Sequence, residues 1–446
     1  MATTSIDTAP VATRRASAYR WYVVAVLALA YCLSAIDARV LTLLVIPIQR
    51  DLGLGDFELG LLQGFAFALL YSVAAIPLGR LVDSSSARTR IILCGVAVWS
   101  AMTIACGLAR SFGQLFTARI GVGVGEAALS PTAYSLISDY FEPRRRALAI
   151  SCYAIGYPIG GGLALIIGGF LLDRFTKAGG AILPFVGALE PWQAVFVVVG
   201  LPGLLVAALL LTIREPERRE TGAAGETAAM PLRAAAAYLL GRWPLYAVLV
   251  SVISLLGMLS IGVTLWYPTF LIRTYHMPVA QVGLLYGAVM LACGTIGTLG
   301  GGWLSGRLMQ KGRADANLRI VLATTLLKAI PLIVGPLMPN AALALGCMAF
   351  ATLVGQAAQG VMIAAIQDVT PNRLRGQVMA LTLFCVNLVG LGLGASVIAA
   401  VTDFVFRDPA ALRYSIVLVG VVLLPAITII LLVGLPIYRR ALIRPA

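Results

Sequence analysis

The sequence GLLQG at residues 60–64 recurs as GLLYG at residues 283–287, 223 positions further along the chain. Gly79, downstream of the first copy, has its counterpart in Gly302 at the same separation. A second pattern repeats with a separation of 229 residues, and its two copies are Asp139, Arg144, Arg146 and Asp368, Arg373, Arg375. Repeats this far apart predict that the chain is built from two related halves.

The composition places both halves in a membrane. The mean hydropathy is +0.94 and only 12% of residues are charged, which lies outside the range of soluble domains. Apolar runs of about 20 residues, long enough to cross a bilayer as a helix, occur at approximately 21–45, 57–79, 91–109, 113–138, 147–172, 192–213, 244–272, 279–305, 319–338, 341–367, 376–402 and 413–436. We therefore predict an all-α integral membrane protein with twelve transmembrane helices.

Polar segments divide this plan. We expect an N-terminal tail at 1–20 with no cleaved signal, six helices within 21–213, a linker at 214–243, six helices within 244–436 and a tail at 437–446. The seven cysteines fall within the predicted spans without a CxxC spacing, so we interpret them as packing residues. No metal site and no cofactor are predicted.

The formal charge of +14 reports orientation. If both termini lie on one side, that side carries 23 Lys and Arg residues, the opposite loops carry 7, and Arg39, Arg119 and Lys328 lie within spans. Cytoplasmic loops are enriched in Lys and Arg, so both termini are predicted to be cytoplasmic in a multi-pass protein of the cell's inner, or plasma, membrane. A nucleic-acid partner is not needed to explain the charge.

Two six-helix halves in parallel repeat, with a long central linker, resemble the major facilitator superfamily, in which substrate binds between two rocking halves. The text GRLVDSSSARTR at 79–90 is similar to that family's loop motif: Gly79, Asp83 and Arg88 match, and Ser84 replaces an arginine. The resemblance implies a conformational role for this motif and for the repeated Asp and Arg residues. The alternative is a solvated basic loop.

Within that superfamily, RIGVGVGEAALSPTAYSLISDYF at 119–141 resembles the spinster family. The sequence IDARVLTLL at 36–44 is similar to the family's Asp-Arg pair, except that Ala38 takes the arginine position and Arg39 follows. The resemblance covers the chain from Trp21 to the last span. It implies a transporter for a lysophospholipid or a sphingosine phosphate.

Asp37, Arg119 and Glu126 are the charges most suited to coupling. An ionised side chain at the centre of a membrane helix costs roughly 2.5–3.5 kcal/mol and needs a partner or a watery cavity. Arg119 and Glu126 are seven residues apart, so both can face one cavity at a separation of about 10 Å. Asp37 is the natural partner for Arg119, because the resemblance implies that the first and fourth spans face the central cavity. A proton-coupling network is predicted, and a purely structural ion pair is the alternative.

A substrate with a polar or anionic head and an apolar tail suits the remaining central residues. The predicted substrate contacts are Arg39, Arg119, Phe65, Tyr71, Tyr153, Tyr157 and Trp266. Arg39 lies about 200° around the helix from Asp37, so it has a lateral helix contact as an alternative. For the aromatic residues, the alternative is ordinary packing in the core or against lipid.

Three further features of the sequence have other predicted roles. Lys328 lies deep in the ninth span, where a packing or lipid-headgroup role is favoured over substrate contact. His276 follows the seventh span and is assigned a loop role. The glycines of GVGVG lack the strand and lysine of a phosphate-binding loop, so we expect them to thin the helix for close packing.

These observations predict a monomeric secondary transporter, not an enzyme, that moves an amphipathic substrate by alternating access with protons. One alternative is a proton-coupled pump for drugs or organic anions. The alternative from another class is a membrane receptor or scaffold that transports nothing.

Overall fold

A computed structural model describes residues 11–183, 187–216, 232–313, 315–371 and 374–443. Eleven stretches of helix in these ranges are long and apolar enough to cross a membrane. Numbered as spans 1–3 and 5–12, they are Ala18–Leu52, Asp56–Val82, Arg88–Leu108, Leu148–Ala178, Pro191–Leu210, Trp243–Tyr275, Val279–Gln310, Ala316–Leu337, Ala341–Asp368, Gln377–Phe406 and Pro409–Leu442.

Span 4 completes the predicted twelve, but it is broken. It consists of two helices, Phe112–Glu126 and Leu129–Tyr140, joined by a turn at Ala127 and Ala128. Pro131 has no N–H to donate to the carbonyl of Ala127, which is the bond that a continuous helix would need. Span 5 is interrupted in the same way: Pro143–Ala154 and Gly156–Ala178 meet at Ile155, and Pro158 lies four residues after Ala154. The twelve-helix prediction is confirmed.

Some helices have bounds that differ from those of the spans, or lie outside them. These α-helices are Val11–Leu52, Asp56–Gly60, Ala66–Ser84, Leu232–Gly241, Ala316–Val334, Arg375–Cys385, Leu393–Ala400 and Leu412–Ile443. Turns of π-helix occur at Leu61–Phe65, Val386–Gly392 and Val401–Phe406, and 3₁₀ turns at Gly335–Leu337 and Pro409–Ala411. Strands β1 (Ala181–Leu183) and β2 (Gly187–Leu189) pair antiparallel between spans 5 and 6, a small hairpin that the sequence did not predict. The predicted linker contains the helix Leu232–Gly241, while residues 217–231 lie outside the described ranges.

The two halves use the same helix pairings. In the first half, span 1 packs on spans 5 and 6, span 2 on span 4, and span 3 on spans 4 and 6; in the second half, spans 7 to 12 repeat these pairings. The halves meet where span 2 packs on span 11 and span 5 on span 8.

The repeated glycines form these contacts between the halves. A Cβ at Gly64 would lie 3.1 Å from the carbonyl oxygen of Gly392 in span 11, and a Cβ at Gly287 would lie 2.9 Å from that of Gly162 in span 5. Only glycine lets the backbones approach this closely. GLLQG and GLLYG are therefore equivalent interface segments, one on each half.

We call the side on which the first described helix begins, at Val11, and the last one ends, at Ile443, the terminal side, and the other the distal side. On the distal side, Asp56 of span 2 is fully buried and holds Arg273 of span 7 in a bidentate ion pair, with N–O distances of 2.6 and 2.7 Å. Arg273 also donates to Gln49 of span 1 at 2.7 Å. Asp403 of span 11 accepts from the backbone N–H of Phe57 at 2.7 Å. These bonds clamp the two halves together on the distal side.

Loss of this clamp should separate the halves on the distal side. Removing one partner of a buried ion pair costs about 3–5 kcal/mol, so Asp56→Asn is expected to populate a longer distance between the halves. Spin labels on Gly113→Cys and Pro339→Cys, in a background without native cysteines, report that distance by electron–electron resonance. Glu58→Gln is the control, because among the described residues the Glu58 side chain bonds only to Gly55 of the same turn, at 2.9 Å. Equal distance distributions in the two variants would contradict the clamp.

Candidate functional site

Arg119 reaches from span 4 to span 1, but it contacts the backbone there. Its Nη1 donates to the carbonyl oxygen of Asp37 at 3.1 Å, and its guanidinium lies 5.8 Å from the Phe67 ring. The arginine is 1% exposed. Among the described residues, no carboxylate lies within 4 Å of it, so the pairing expected between the Arg119 and Asp37 side chains is replaced by a bond to the Asp37 main chain.

Glu126 has a different partner from the same helix. Ser34, one turn before Asp37 on span 1, donates its hydroxyl to Glu126 Oε2 at 2.5 Å. Glu126 is 5% exposed and ends the first helix of span 4. Sequence reasoning missed Ser34, although its position three residues before Asp37 places both side chains on one helical face.

Both carboxylates keep free hydrogen-bonding capacity. Oδ1 of Asp37 and Oε1 of Glu126 are buried and have no hydrogen-bond partner among the described residues. Thr103 of span 3 contributes a buried hydroxyl next to Asp37. A protonated carboxyl could use such an acceptor, and an ionised one would be costly here. The structure thus brings together the three residues predicted for proton coupling, at the contact between spans 1 and 4.

A cluster of tyrosines lies between spans 1, 4 and 5. The ring of Tyr31 stacks on Tyr153 with centroids 4.7 Å apart and lies 5.1 Å from Tyr157. Tyr134 meets the edge of Tyr153 at 5.4 Å. The hydroxyl of Tyr153 bonds with Ser130 at 3.2 Å. Tyr153 and Tyr157, both predicted from the sequence, are therefore joined by Tyr31 and Tyr134, which were not.

Arg39 lies on the other face of span 1 from Asp37. Its guanidinium is 5.9 Å from the ring of Tyr157, and a Cβ at Gly161 of span 5 would lie 3.1 Å from its Nε. The side chain is half-buried, and its Nε has no hydrogen-bond partner among the described residues. Arg39 is thus a cation beside the aromatic cluster with hydrogen-bond donors available.

The other predicted substrate contacts are distributed differently. Tyr71 stacks on Phe67, with centroids 5.4 Å apart, next to Arg119. Phe65 lies half-buried at the contact with span 11. Trp266 is fully buried and donates its indole N–H to the carbonyl of Ala395 at 2.8 Å, between spans 7 and 11. In this conformation Trp266 is separate from the tyrosine cluster and has no exposed surface.

The motif residues of the first half form ion pairs on the terminal side. Arg88 is 1% exposed and donates to Asp139 at 2.5 Å and to Glu215 at 2.8 Å. Burial alone would raise the pKa of Glu215, but hydrogen bonds from Thr89 and Arg88 hold it below its ordinary value. These bonds tie the ends of spans 3, 4 and 6 together.

The second half repeats this arrangement without the arginine. Asp368 accepts from Asn317 at 2.7 Å and from Tyr438 at 3.2 Å. Asn317 lies 229 residues after Arg88, the same separation as Asp139 and Asp368. The amide therefore replaces the guanidinium in the second half, a relation that the repeat spacing could have revealed.

The remaining motif residues bond to backbone carbonyls, have open space around them, or lie outside the described residues. Arg146 donates to the Ser138 carbonyl at 3.1 Å, Arg375 donates to that of Thr370 at 3.3 Å, and a Cβ at Gly79 would meet no described atom within 4 Å. The side chains of Asp83 and Arg144, and all of Arg373, lie outside the described residues.

The structure also gives the surroundings of His276 and Lys328. His276 adopts a left-handed conformation (φ 53°) at the end of span 7, as a residue that terminates a helix. Lys328 is buried inside the second half, 3% exposed, and donates to Ser260 at 3.3 Å. The expected lipid-headgroup role therefore does not fit this conformation.

Comparisons with known proteins agree with this architecture. Residues 27–395 match the family model of the Major Facilitator Superfamily. An MFS-type efflux pump of Mycolicibacterium smegmatis is 28% identical over 391 residues, which cover 88% of this chain and 86% of that protein. The Sphingosine-1-phosphate transporter SPNS2 of Danio rerio is 27% identical over 301 residues, which cover 64% of this chain and 56% of that protein. The crystal structure of a bacterial homologue of the human lysosomal transporter spinster, inward-facing and occupied, is 27% identical with a TM-score of 0.75 and covers 95% of this chain and 97% of its own.

The glycines beside the charges should be intolerant of a side chain. A Cβ at Gly123 would lie 2.6 Å from the backbone oxygen of Phe67, which is closer than Cβ atoms come to other non-bonded heavy atoms in proteins. Gly123→Ala must therefore push span 2 away from span 4, at a cost of about 1–3 kcal/mol. Thermal unfolding of the purified protein should show a lower Tm for Gly123→Ala. Gly113→Ala in the same helix is the control, since its Cβ would meet no described atom within 4 Å; an unchanged Tm for both variants would contradict this packing.

Proposed function

The chain belongs to the Major Facilitator Superfamily, and on that premise we propose that it is a proton-coupled secondary transporter of an amphipathic, lipid-like substrate. Transport proceeds by alternating access: the two halves rock about a central site so that it opens to one side of the membrane at a time. We place the protein in the plasma membrane as a monomer, with both termini in the cytoplasm.

The observation that carries the proton proposal is the state of Glu126 and Asp37. Both carboxylates are buried, and each keeps an oxygen without a hydrogen-bond partner among the described residues. The guanidinium of Arg119 is bonded to a backbone carbonyl. A carboxylate in such a place is stabilised by taking up a proton. When the halves rock, a shift of Arg119 toward either carboxylate would favour its ionised form and release that proton on the other side.

The substrate proposal is supported by the surface beside these charges. The partly exposed rings of Tyr31 and Tyr157, with the fully buried Tyr153 stacked behind Tyr31, provide an apolar wall with polar edges, which suits an acyl chain and its polar junction. Arg39 adds a cation next to Tyr157, which suits a phosphate head. The similarity to a sphingosine-1-phosphate transporter favours the same class of substrate, a sphingosine phosphate or a related lysophospholipid.

A second candidate is a proton-coupled efflux pump for drugs or organic anions. It is favoured by the similarity to an MFS-type efflux pump, which extends over 88% of this chain. The same aromatic wall would hold an apolar drug, and the mechanism of coupling would be unchanged.

Flux into proteoliposomes tests the proposal. With an imposed pH gradient, the wild-type protein is expected to accumulate a radiolabelled lysophospholipid, because proton movement drives transport. The Glu126→Gln variant has no ionisable carboxyl group at this position. Its accumulation of the lysophospholipid should therefore fall to the level of protein-free vesicles, while exchange of the lysophospholipid without a pH gradient continues.

Glu142→Gln is the matched control, because Glu142 is exposed on the terminal side. Accumulation by Glu126→Gln equal to that of Glu142→Gln would refute proton coupling through Glu126. Transport of a cationic dye without transport of the lysophospholipid would favour the efflux pump.

A further inference from the structure

Lys328 is a buried cation that the proposed transport mechanism does not use. It lies in the middle of span 9 and is 3% exposed. Its side chain lines a cavity between spans 7, 8, 9 and 10. The centres of water molecules could occupy about 40 Å³ of this cavity, and a single water needs about 10–15 Å³ by that measure. The polar side chains in the cavity wall are Ser260, Thr264, Thr352, Gln356 and Gln359.

The second half offers this lysine no counter-charge. From residue 244 onward the chain contains no glutamate, and its aspartates are Asp315, Asp368, Asp403 and Asp408, all at the ends of spans. Each already accepts a hydrogen bond there, from Arg319, Asn317, Phe57 and Ala410 respectively. Among the described residues, no carboxylate lies within 4 Å of Lys328. An ionised lysine buried in this way is stabilised by an anion, and the described residues supply none within that distance.

The donors around the cavity are free to hold one. Lys328 donates to Ser260 Oγ at 3.3 Å, which leaves two ammonium protons and the serine hydroxyl proton available. The hydroxyl of Thr352 is buried and has no partner among the described residues. The ammonium group, hydroxyls and amides converge on one small space.

The internal repeat shows that the cavity lacks the two carboxylates found at the equivalent positions of the first half. Separations of 223 and 229 residues pair Asp37 with Ser260 and Glu126 with Gly355. The stem of Lys328 occupies the space beside Gly355, with Cδ 3.8 Å from where a Cβ would be. The second half thus has neutral residues at the positions of the two carboxylates, and a lysine from span 9 between them.

We propose that this cavity is a binding site for a compact anionic group, either a small inorganic anion or the phosphate or carboxylate head of an amphipath. Lys328 neutralises the charge, and Ser260 and Thr352 donate hydrogen bonds. The volume of about 40 Å³ suits a compact group, which in an amphipath is the head. This proposal concerns binding alone and does not depend on proton coupling.

Anion-dependent thermal stability of the detergent-purified full chain tests it. At constant ionic strength, replacing gluconate by chloride or phosphate should raise the Tm of the wild-type protein saturably, because a ligand that binds the folded state stabilises it. Lys328→Met keeps the length of the side chain and removes the charge, so the saturable shift should disappear. Lys311→Met is the control at an exposed lysine and should keep it.

Two further arms complete the test. Lys328→Arg retains the charge and should retain the shift, which separates loss of binding from a packing defect. A short-chain lysophosphatidic acid and its neutral-head analogue distinguish the source of the anion: a shift with the former alone identifies a headgroup site, and a shift with chloride or phosphate a free-anion site. An equal shift in Lys328→Met and wild type, or no saturable shift in wild type with any of these anions, would overturn the proposal.

Discussion

The cost of placing an ionised side chain between membrane helices is the constraint on which the rest of this structure depends. The chain satisfies it differently at each position: Arg119 bonds to a backbone carbonyl, Glu126 accepts from a serine, and Lys328 faces a polar cavity. None of these charges is neutralised by a direct ion pair within 4 Å among the described residues. They are held by neutral dipoles, which leaves their charge states responsive to anything that enters or moves nearby.

The local structure of span 4 follows from that constraint. Gly123 and Gly125 bring the helix close to spans 2 and 3, and the proline at 131 stops it just after Glu126. A break in a membrane helix is tolerated where the freed backbone groups lie inside the protein. The same proline device interrupts span 5 next to Tyr157. Both breaks therefore flank the residues proposed to bind protons and substrate.

The two halves share a framework and differ in electrostatics. Equivalent glycines in spans 2 and 8 make equivalent contacts with the opposite half, and the helix pairings repeat. The first half carries buried carboxylates and the second a buried amine, while Arg88 of the first is replaced by Asn317 in the second. The proton chemistry that we propose therefore lies in the first half, and the anion site that we propose lies in the second.

The sequence by itself determined that this is an integral membrane protein, that it has twelve spans in two related halves, and which charged residues lie within the spans. These are properties of length, hydropathy and spacing along the chain, which do not depend on neighbours in space. The contact between spans 1 and 4 was also predictable, through the family resemblance and the one-sided placement of Arg119 and Glu126.

Only the tertiary structure decided which atoms meet. It gave Arg119 the main chain of Asp37 in place of the carboxylate, brought Ser34 to Glu126, turned Arg39 toward span 5, and enclosed Trp266 against span 11. It also placed Lys328, for which a packing or lipid-headgroup role was expected, beside a buried cavity. Helix rotation and the angle at each break set these partners, and both arise from packing against other spans, so periodicity along one span does not specify them.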